Sequence, residues 1–218
     1  MLKNKLKKLL FFLILFSVLS LFSCSLFFGY NIEGTKWSGN ILWVNMILEF
    51  ESGGIVKTGS IELVYNTVTR DSGTYTFDKS SMTGTITIDG VTNTFSINEQ
   101  TKILTLSVSG ISITFQDVTA TFTWPIVNAA GCRYVGVDYE NELEIEIYFS
   151  NKTSGTIKFT DIYSYDYITY QFTATWNDET YSGKINFSTY FVDYQISLDK
   201  QYCVFNYLSD NPIYCELQ

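Results

Sequence analysis

Four glutamates form the densest charge pattern in the chain. Glu140, Glu142, Glu144 and Glu146 recur at every second position through the segment that holds Leu143, Ile145 and Ile147. Side chains two residues apart share one face of a strand, roughly 6.6 Å apart along it, so a strand here would carry all four carboxylates in a row. Such a row suggests a strip for calcium or a cationic ligand. Calcium needs about six to eight converging oxygens, and a straight row does not converge. The expectation is a solvated outer face, paired with Lys158 on the next strand. Cys132, Cys203 and Cys215 are the second chemical group. Cys203 and Cys215 flank the Asp210-Asn211-Pro212 turn and would face one another, whereas Cys132 would meet Cys215 if a barrel closes. Three thiols cannot all pair within one chain, so buried thiols or one optional bridge are expected.

Histidine is absent. That removes Ser-His-Asp and Cys-His catalysis, histidine-ligated metals and the commonest general base. No nucleophile motif stands out, and carboxylate pairs of the glycosidase kind cannot be established by spacing alone. The chain is therefore expected to be no enzyme and to use no cofactor and no metal. Tyrosine is uneven, with 13 of 16 at or after Tyr134 and a dense patch at Tyr163, Tyr165, Tyr167 and Tyr170. Amphipathic rings give large contact area at low entropic cost, which suits either a binding surface or the wet rim of a small barrel.

The elements that must position these groups are strands. Aromatics reach 17% of the chain, β-branched residues are abundant after Phe28, and both suit a pleated, half-buried surface. Ile86 and Ile88 alternate with threonines before the turn signal Asp89-Gly90. Leu104, Leu106 and Val108 precede Ser109-Gly110, and Ile111, Ile113 and Phe115 follow it. Further strands are expected near Lys36–Asn40, Met46–Glu51, Val56–Tyr65, Thr74–Asp78 and Thr92–Ile97. The pattern then repeats. Gly34-Thr35-Lys36-Trp37-Ser38-Gly39 returns as Gly131-Cys132-Arg133-Tyr134-Val135-Gly136, each reading Gly-x-basic-aromatic-x-Gly. Thr83-Gly84-Thr85-Ile86 matches Ser182-Gly183-Lys184-Ile185, and Phe95-Ser96-Ile97-Asn98 matches Tyr194-Gln195-Ile196-Ser197. The same order in both halves indicates a duplicated unit of about 85 to 95 residues, large enough for its own core. About eight short strands per copy, joined in sequence by tight turns, describe an antiparallel meander that can bury its apolar face by closing. Pro125, in an apolar rather than Gly/Ser-rich stretch, marks the seam, so the two units should touch.

A Gly-x-Trp at the first strand of such a meander resembles the calycin group of lipocalins, fatty-acid-binding proteins and avidins, and bacterial lipocalin-like lipoprotein domains open in the same way. The resemblance implies an all-β chain of two tandem up-and-down barrels. It gives Gly34, Trp37, Gly131 and Tyr134 structural roles, with Trp37 and Tyr134 plugging the barrel ends beneath a basic side chain. The second copy departs from the motif by carrying tyrosine for tryptophan. It also implies a small apolar ligand, although strands of about seven residues leave an eight-strand interior that side chains can fill.

The first residues give an address. Met1–Lys8 holds four lysines and no acid, Leu9–Phe22 is almost wholly apolar, and Ser23-Cys24 closes it. That is an export signal, and Leu21, Ser23 and Cys24 resemble the lipobox of bacterial lipoproteins, from which Phe22 departs. The resemblance implies lipidation of Cys24 by acyl chains such as palmitate, and Ser25 after it favours the outer membrane. An uncleaved anchor over Leu9–Phe28 is the other reading, since these 20 residues are uncharged and such a run can span a bilayer. The expected organisation is a signal peptide over 1–23, a tether over 24–33, a first barrel over 34–120, a linker over 121–130 and a second barrel over 131–218. Without its four leader lysines the chain keeps ten basic residues against 22 acidic ones, a net charge of −12. That balance disfavours nucleic acid and anionic lipid. The expected function is an envelope protein that binds, without catalysis, either a small apolar ligand or an envelope or host protein through exposed aromatics. A transmembrane barrel is a third reading, weakened by strands shorter than the roughly 9–11 residues a bilayer requires.

Overall fold

A computed structural model describes residues 30–207 and 211–218. The leader, Cys24 and the first part of the tether lie outside the described residues. The remainder is all-β. The first barrel comprises β1 (Lys36–Ile41), β2 (Val44–Phe50), β3 (Ile55–Glu62), β4 (Val68–Asp78), β5 (Thr83–Ile88), β6 (Val91–Asn98), β7 (Ile103–Val108) and β8 (Ile111–Asp117). The second comprises β9 (Arg133–Asp138), β10 (Leu143–Asn151), β11 (Ser154–Asp161), β12 (Tyr167–Ala174), β13 (Ser182–Phe187), β14 (Tyr190–Ile196), β15 (Tyr202–Phe205) and β16 (Ile213–Leu217). Each strand pairs antiparallel with its sequence neighbour, and each set closes on itself. Closure is by Trp37↔Asp117 and Ser38↔Gln116 in one barrel and by Tyr134↔Leu217 and Val135↔Glu216 in the other. Closing removes the free sheet edges that an open meander would expose.

Tight turns set the register. Asp89-Gly90 and Ser109-Gly110 both hold two consecutive positive φ angles, the backbone that a two-residue hairpin requires. β4 is longer than its sequence pattern suggests: it starts at Val68 rather than near Thr74. Thr69-Arg70-Asp71-Ser72-Gly73 carries no apolar alternation, because this part of the strand projects beyond β5 and buries little on its inner side.

The two barrels open with the same set of bonds. Gly34 N donates to Phe50 O at 2.6 Å, and Gly131 N to Phe149 O at 2.7 Å. Phe50 N and Phe149 N donate back to Thr35 O and Cys132 O, both at 3.0 Å. Gly34 and Gly131 sit at φ +80° and +81°, a region that suits glycine because it has no Cβ to clash. Inside, rings from facing walls meet. Phe50 lies 4.9 Å from Tyr75 and 5.4 Å from Phe95 in the first barrel, and Phe149 lies 5.2 Å from Phe172 and 5.5 Å from Tyr194 in the second. Inward-facing glycines make room for them. A Cβ on Gly39 would stand 2.9 Å from the Phe115 ring, and one on Gly84 would stand 2.6 Å from Phe95.

The barrels dock. Ile47, Ile61 and Val68, which point outward from the first barrel, join the buried cluster of the second. Trp124 of the linker is the wedge: its indole covers Gly59, the Arg70 guanidinium stacks on it at 4.3 Å, and its Nε1 donates to Glu49. Tyr181 Oη donates to Pro125 O at 2.9 Å from the other side. Tyr65 stacks on Tyr214 at 3.9 Å, and Leu198 N donates to Asn66 O at 2.9 Å.

Candidate functional site

Of the four residues singled out as structural, Trp37 and Tyr134 are buried, whereas Gly34 and Gly131 are exposed in the turns before them. Trp37 and Tyr134 are both at 0% exposure on the first strand of their barrels, and Trp37 Nε1 donates to Thr35 Oγ1 at 2.9 Å. The residue matching Thr35 is Cys132, and the Tyr134 hydroxyl is buried without a hydrogen-bond partner. Burial, with the neighbouring thiols adding to it, pushes the ionisation of that hydroxyl far above the usual phenol range.

The glutamate row is not built as expected. β10 begins only at Leu143, and Glu142 adopts φ +55° in the preceding turn, so Glu140 and Glu142 leave the strand and only Glu144 and Glu146 share its outer face. The turn is imposed by Asp138, whose carboxylate accepts from Glu140 N at 3.0 Å and Asn141 N at 3.2 Å. Glu146 stands opposite Lys158 but ion-pairs with Arg133 at 2.8 Å, and the Arg133 hydrogen bond holds its carboxyl below the usual range. Among the described residues, no group of three or more metal-ligating side chains converges.

Cys203 and Cys215 are direct cross-strand neighbours, fully buried, and both free thiols, as is the half-buried Cys132. Burial pushes the Cys215 thiol up to about 12 and raises Cys203 well above its ordinary value. Thiolate is the reactive form, so burial keeps both thiols in their less reactive protonated form.

What remains is surface. A shallow concavity of about 570 Å³ lies over β4–β7 against the outward side chains Thr76, Thr85, Thr94 and Ser107, not within the barrel. The large exposed apolar side chains follow a clear rule. In an up-and-down barrel every second hairpin lies at the same end. The hairpins β1–β2, β3–β4, β5–β6 and β7–β8 carry Leu42 at 86% exposure, Trp43 at 73%, Val64, Val91 and Ile111. The corresponding end of the second barrel carries Tyr139, Tyr163 at 70%, Tyr165 at 76%, Tyr167, Ile168, Tyr190 and Phe191. Among the described residues, Ile55, Ile126 and Tyr148 are the large exposed hydrophobics found elsewhere.

These rim loops are held, not loose. Leu63 N donates to Trp43 O at 2.8 Å, which ties the first two hairpins of barrel one together. Asp161 accepts from Tyr163 N at 2.9 Å and Ser164 N at 2.8 Å, and these bonds keep its carboxyl below the usual range. Tyr165 N donates to Asp161 O at 3.0 Å, with Tyr165 itself at φ +62°. Beneath the rim of the second barrel, Tyr207 packs on Phe159 at 4.7 Å and on Phe187 at 5.7 Å, and so fills the opening. Of the four tyrosines in the sequence patch, Tyr163, Tyr165 and Tyr167 are exposed at the rim, whereas Tyr170 turns inward to Phe159 and Phe187. Sequence reading passed over Leu42-Trp43 and Tyr190-Phe191. Their signal was an apolar pair at a hairpin turn, where two polar residues would be ordinary.

No family model matches this chain, and no curated protein matches it. Among solved structures, it is similar to DNA polymerase III subunit beta from Borrelia burgdorferi in complex with a natural product, at 10% identity and a TM-score of 0.20. That overlap takes in 87% of this chain and 58% of the other, so the chain spans less than two thirds of that protein.

Proposed function

We propose that this chain is an exported, lipid-anchored envelope protein that binds another protein through the rims of its two barrels, without catalysis. The supporting observation is that, among the described residues, most exposed aromatic and aliphatic side chains gather at one end of each barrel. Contiguous exposed apolar surface on a soluble domain marks an interaction site, and rigidly held Tyr and Trp suit one because they lose little entropy on contact. The filled interiors favour this reading over carriage of a small apolar ligand, since Phe50, Phe95, Phe149 and Tyr207 occupy the space such a ligand would need. Attachment through Cys24 at the outer membrane rests on the leader sequence. Cys24→Ala should stay unprocessed and incorporate no palmitate; normal processing of that variant would overturn the anchor.

The binding reading is tested by placing a photo-crosslinking amino acid at Trp43, at Tyr165 and, as a control at the opposite end of barrel one, at Thr101. Discrete adducts at the first two positions and none at Thr101 are expected. Absence of adducts, together with saturable uptake of an apolar fluorescent fatty-acid probe, would replace this function with ligand carriage.

A further inference from the structure

β12 pairs with β11 along its whole length, from Ser154↔Thr173 to Thr160↔Tyr167, yet pairs with β13 only at Phe172, Thr173 and Ala174. The β13–β14 hairpin is too short to reach further, because Phe187, opposite Phe172, already faces Tyr190 across the turn. Tyr167 to Gln171 therefore have a bonded edge and, among the described residues, an edge with no strand beside it. Two bonds show which groups aim there. Ala174 N donates to Thr153 O on the β11 side, and Thr175 N donates to Lys184 O on the β13 side. Main-chain groups alternate sides along a strand, so Tyr167, Thr169 and Gln171 direct their N–H and C=O groups to the empty side.

The first barrel has the same overhang, and there its first main-chain carbonyl is engaged by the other barrel. β4 runs past β5 over Val68–Gly73, its pairing with β5 starting at Thr74. Val68, opposite Ile61, is the counterpart of Tyr167, opposite Thr160. In barrel one, Gln195 of the second barrel donates to Val68 O, and Arg70 reaches across to Glu179 O at 3.3 Å. The main-chain position bonded at Val68 in one copy is thus open at Tyr167 in the other. The usual protections of an open edge, Lys or Pro, are missing from Tyr163–Gln171.

We infer that the free edge of β12 takes an extended polypeptide segment of the partner protein, added as a further strand beside Tyr167–Gln171. This rests on the reading of the second-barrel rim as a protein-binding face and specifies how that face binds. An extended main chain is the ligand whose alternating donors and acceptors match such an edge, with alternate side chains setting specificity. Inward side chains of the added strand meet Ile168, Tyr170 and Tyr190, so they are apolar. Its charge is neutral or basic, to suit an exported chain that carries 22 acidic residues against ten basic ones.

The probe is a capped peptide of about seven residues alternating threonine with valine, beside the same peptide N-methylated at alternate amides. Binding by the full chain is followed by fluorescence anisotropy and by hydrogen exchange of the 167–171 amides. The unmethylated peptide should bind and slow the Tyr167 and Thr169 amides, and N-methylation should weaken it at least about tenfold, as loss of one or two backbone bonds would. Thr169→Pro removes an N–H on the free side while leaving the β11 ladder intact, and it should abolish both effects. If that variant does not fold, the methylated peptide on the unaltered chain decides. Edge amides already slow without peptide, or equal binding of both peptides, would overturn the inference. Crosslinks at Tyr165 that persist in Thr169→Pro would overturn strand addition while leaving the rim as a protein-binding face.

Discussion

At residue scale the two copies solve one problem with different chemistry. Trp37 and Tyr134 fill the same position, but only the indole has a partner for its polar atom. A buried hydroxyl without a partner contributes nothing to offset its desolvation. Trp37→Ala and Tyr134→Ala should each destabilise by about 3–5 kcal/mol, whereas Tyr134→Phe should be within about 1 kcal/mol of neutral, all read by chemical denaturation. The thiols predict an alkaline limit. Cys215 is raised from an ordinary 9.0 to about 12 in the folded chain, and Cys203 shifts the same way. Above pH 9 the unfolded chain releases these protons while the folded chain retains them, so stability is full below that value and falls as pH rises towards 12. Denaturation midpoints measured across that range should fall, and the fall should be shallower in a Cys203→Ala, Cys215→Ala double variant.

At the scale of the element, inward glycines let short strands enclose large rings. Gly84 and Gly183 occupy matching places on β5 and β13, where an added Cβ would press on Phe95 at 2.6 Å and on Tyr194 at 2.9 Å, and more closely still on the carbonyls of Thr76 and Thr175. Backbone cannot yield as a flexible side chain can. Gly84→Ala and Gly183→Ala should therefore each destabilise by about 1–3 kcal/mol through overpacking, visible as a lowered melting temperature. Alternation made most of these strands legible, including the Asp89-Gly90 and Ser109-Gly110 turns. It failed at Val68–Gly73 and at Glu140–Glu142, for different reasons. The first is a strand that buries little on its inner face, so it shows no apolar period. The second keeps a strand's period in a turn imposed by Asp138.

For the whole molecule, Trp124 joins what the duplication made separate. It touches Gly59, Arg70 and Glu49 of one barrel and Tyr181 of the other. Trp124→Ala removes the wedge and leaves the Arg70–Glu49 pair open to water, where ion pairs contribute little. Calorimetry of the unaltered chain should show one transition, and that of Trp124→Ala two, one for each barrel. Retention of a single transition would mean that Ile47, Ile61 and Val68 hold the barrels together without it. The surface equivalent to those three on the second barrel is Glu146, Thr160 and Tyr167, which are polar or amphipathic.

The sequence alone determined the all-β class, the duplication and the closed meanders, because strand period, turn residues and repeat order are local properties written along the chain. It also determined what chemistry is missing, since a chain without histidine cannot position one. Tertiary structure decided the rest. Whether a barrel is hollow depends on which rings meet across it, and whether Tyr163 or Tyr170 is exposed depends on where a hairpin ends. Whether the start of an overhanging strand is bonded, as Val68 is, or bare, as Tyr167 is, depends on a neighbour more than a hundred residues away. Such contacts are made between segments whose closeness in space leaves no periodic trace in the order of residues.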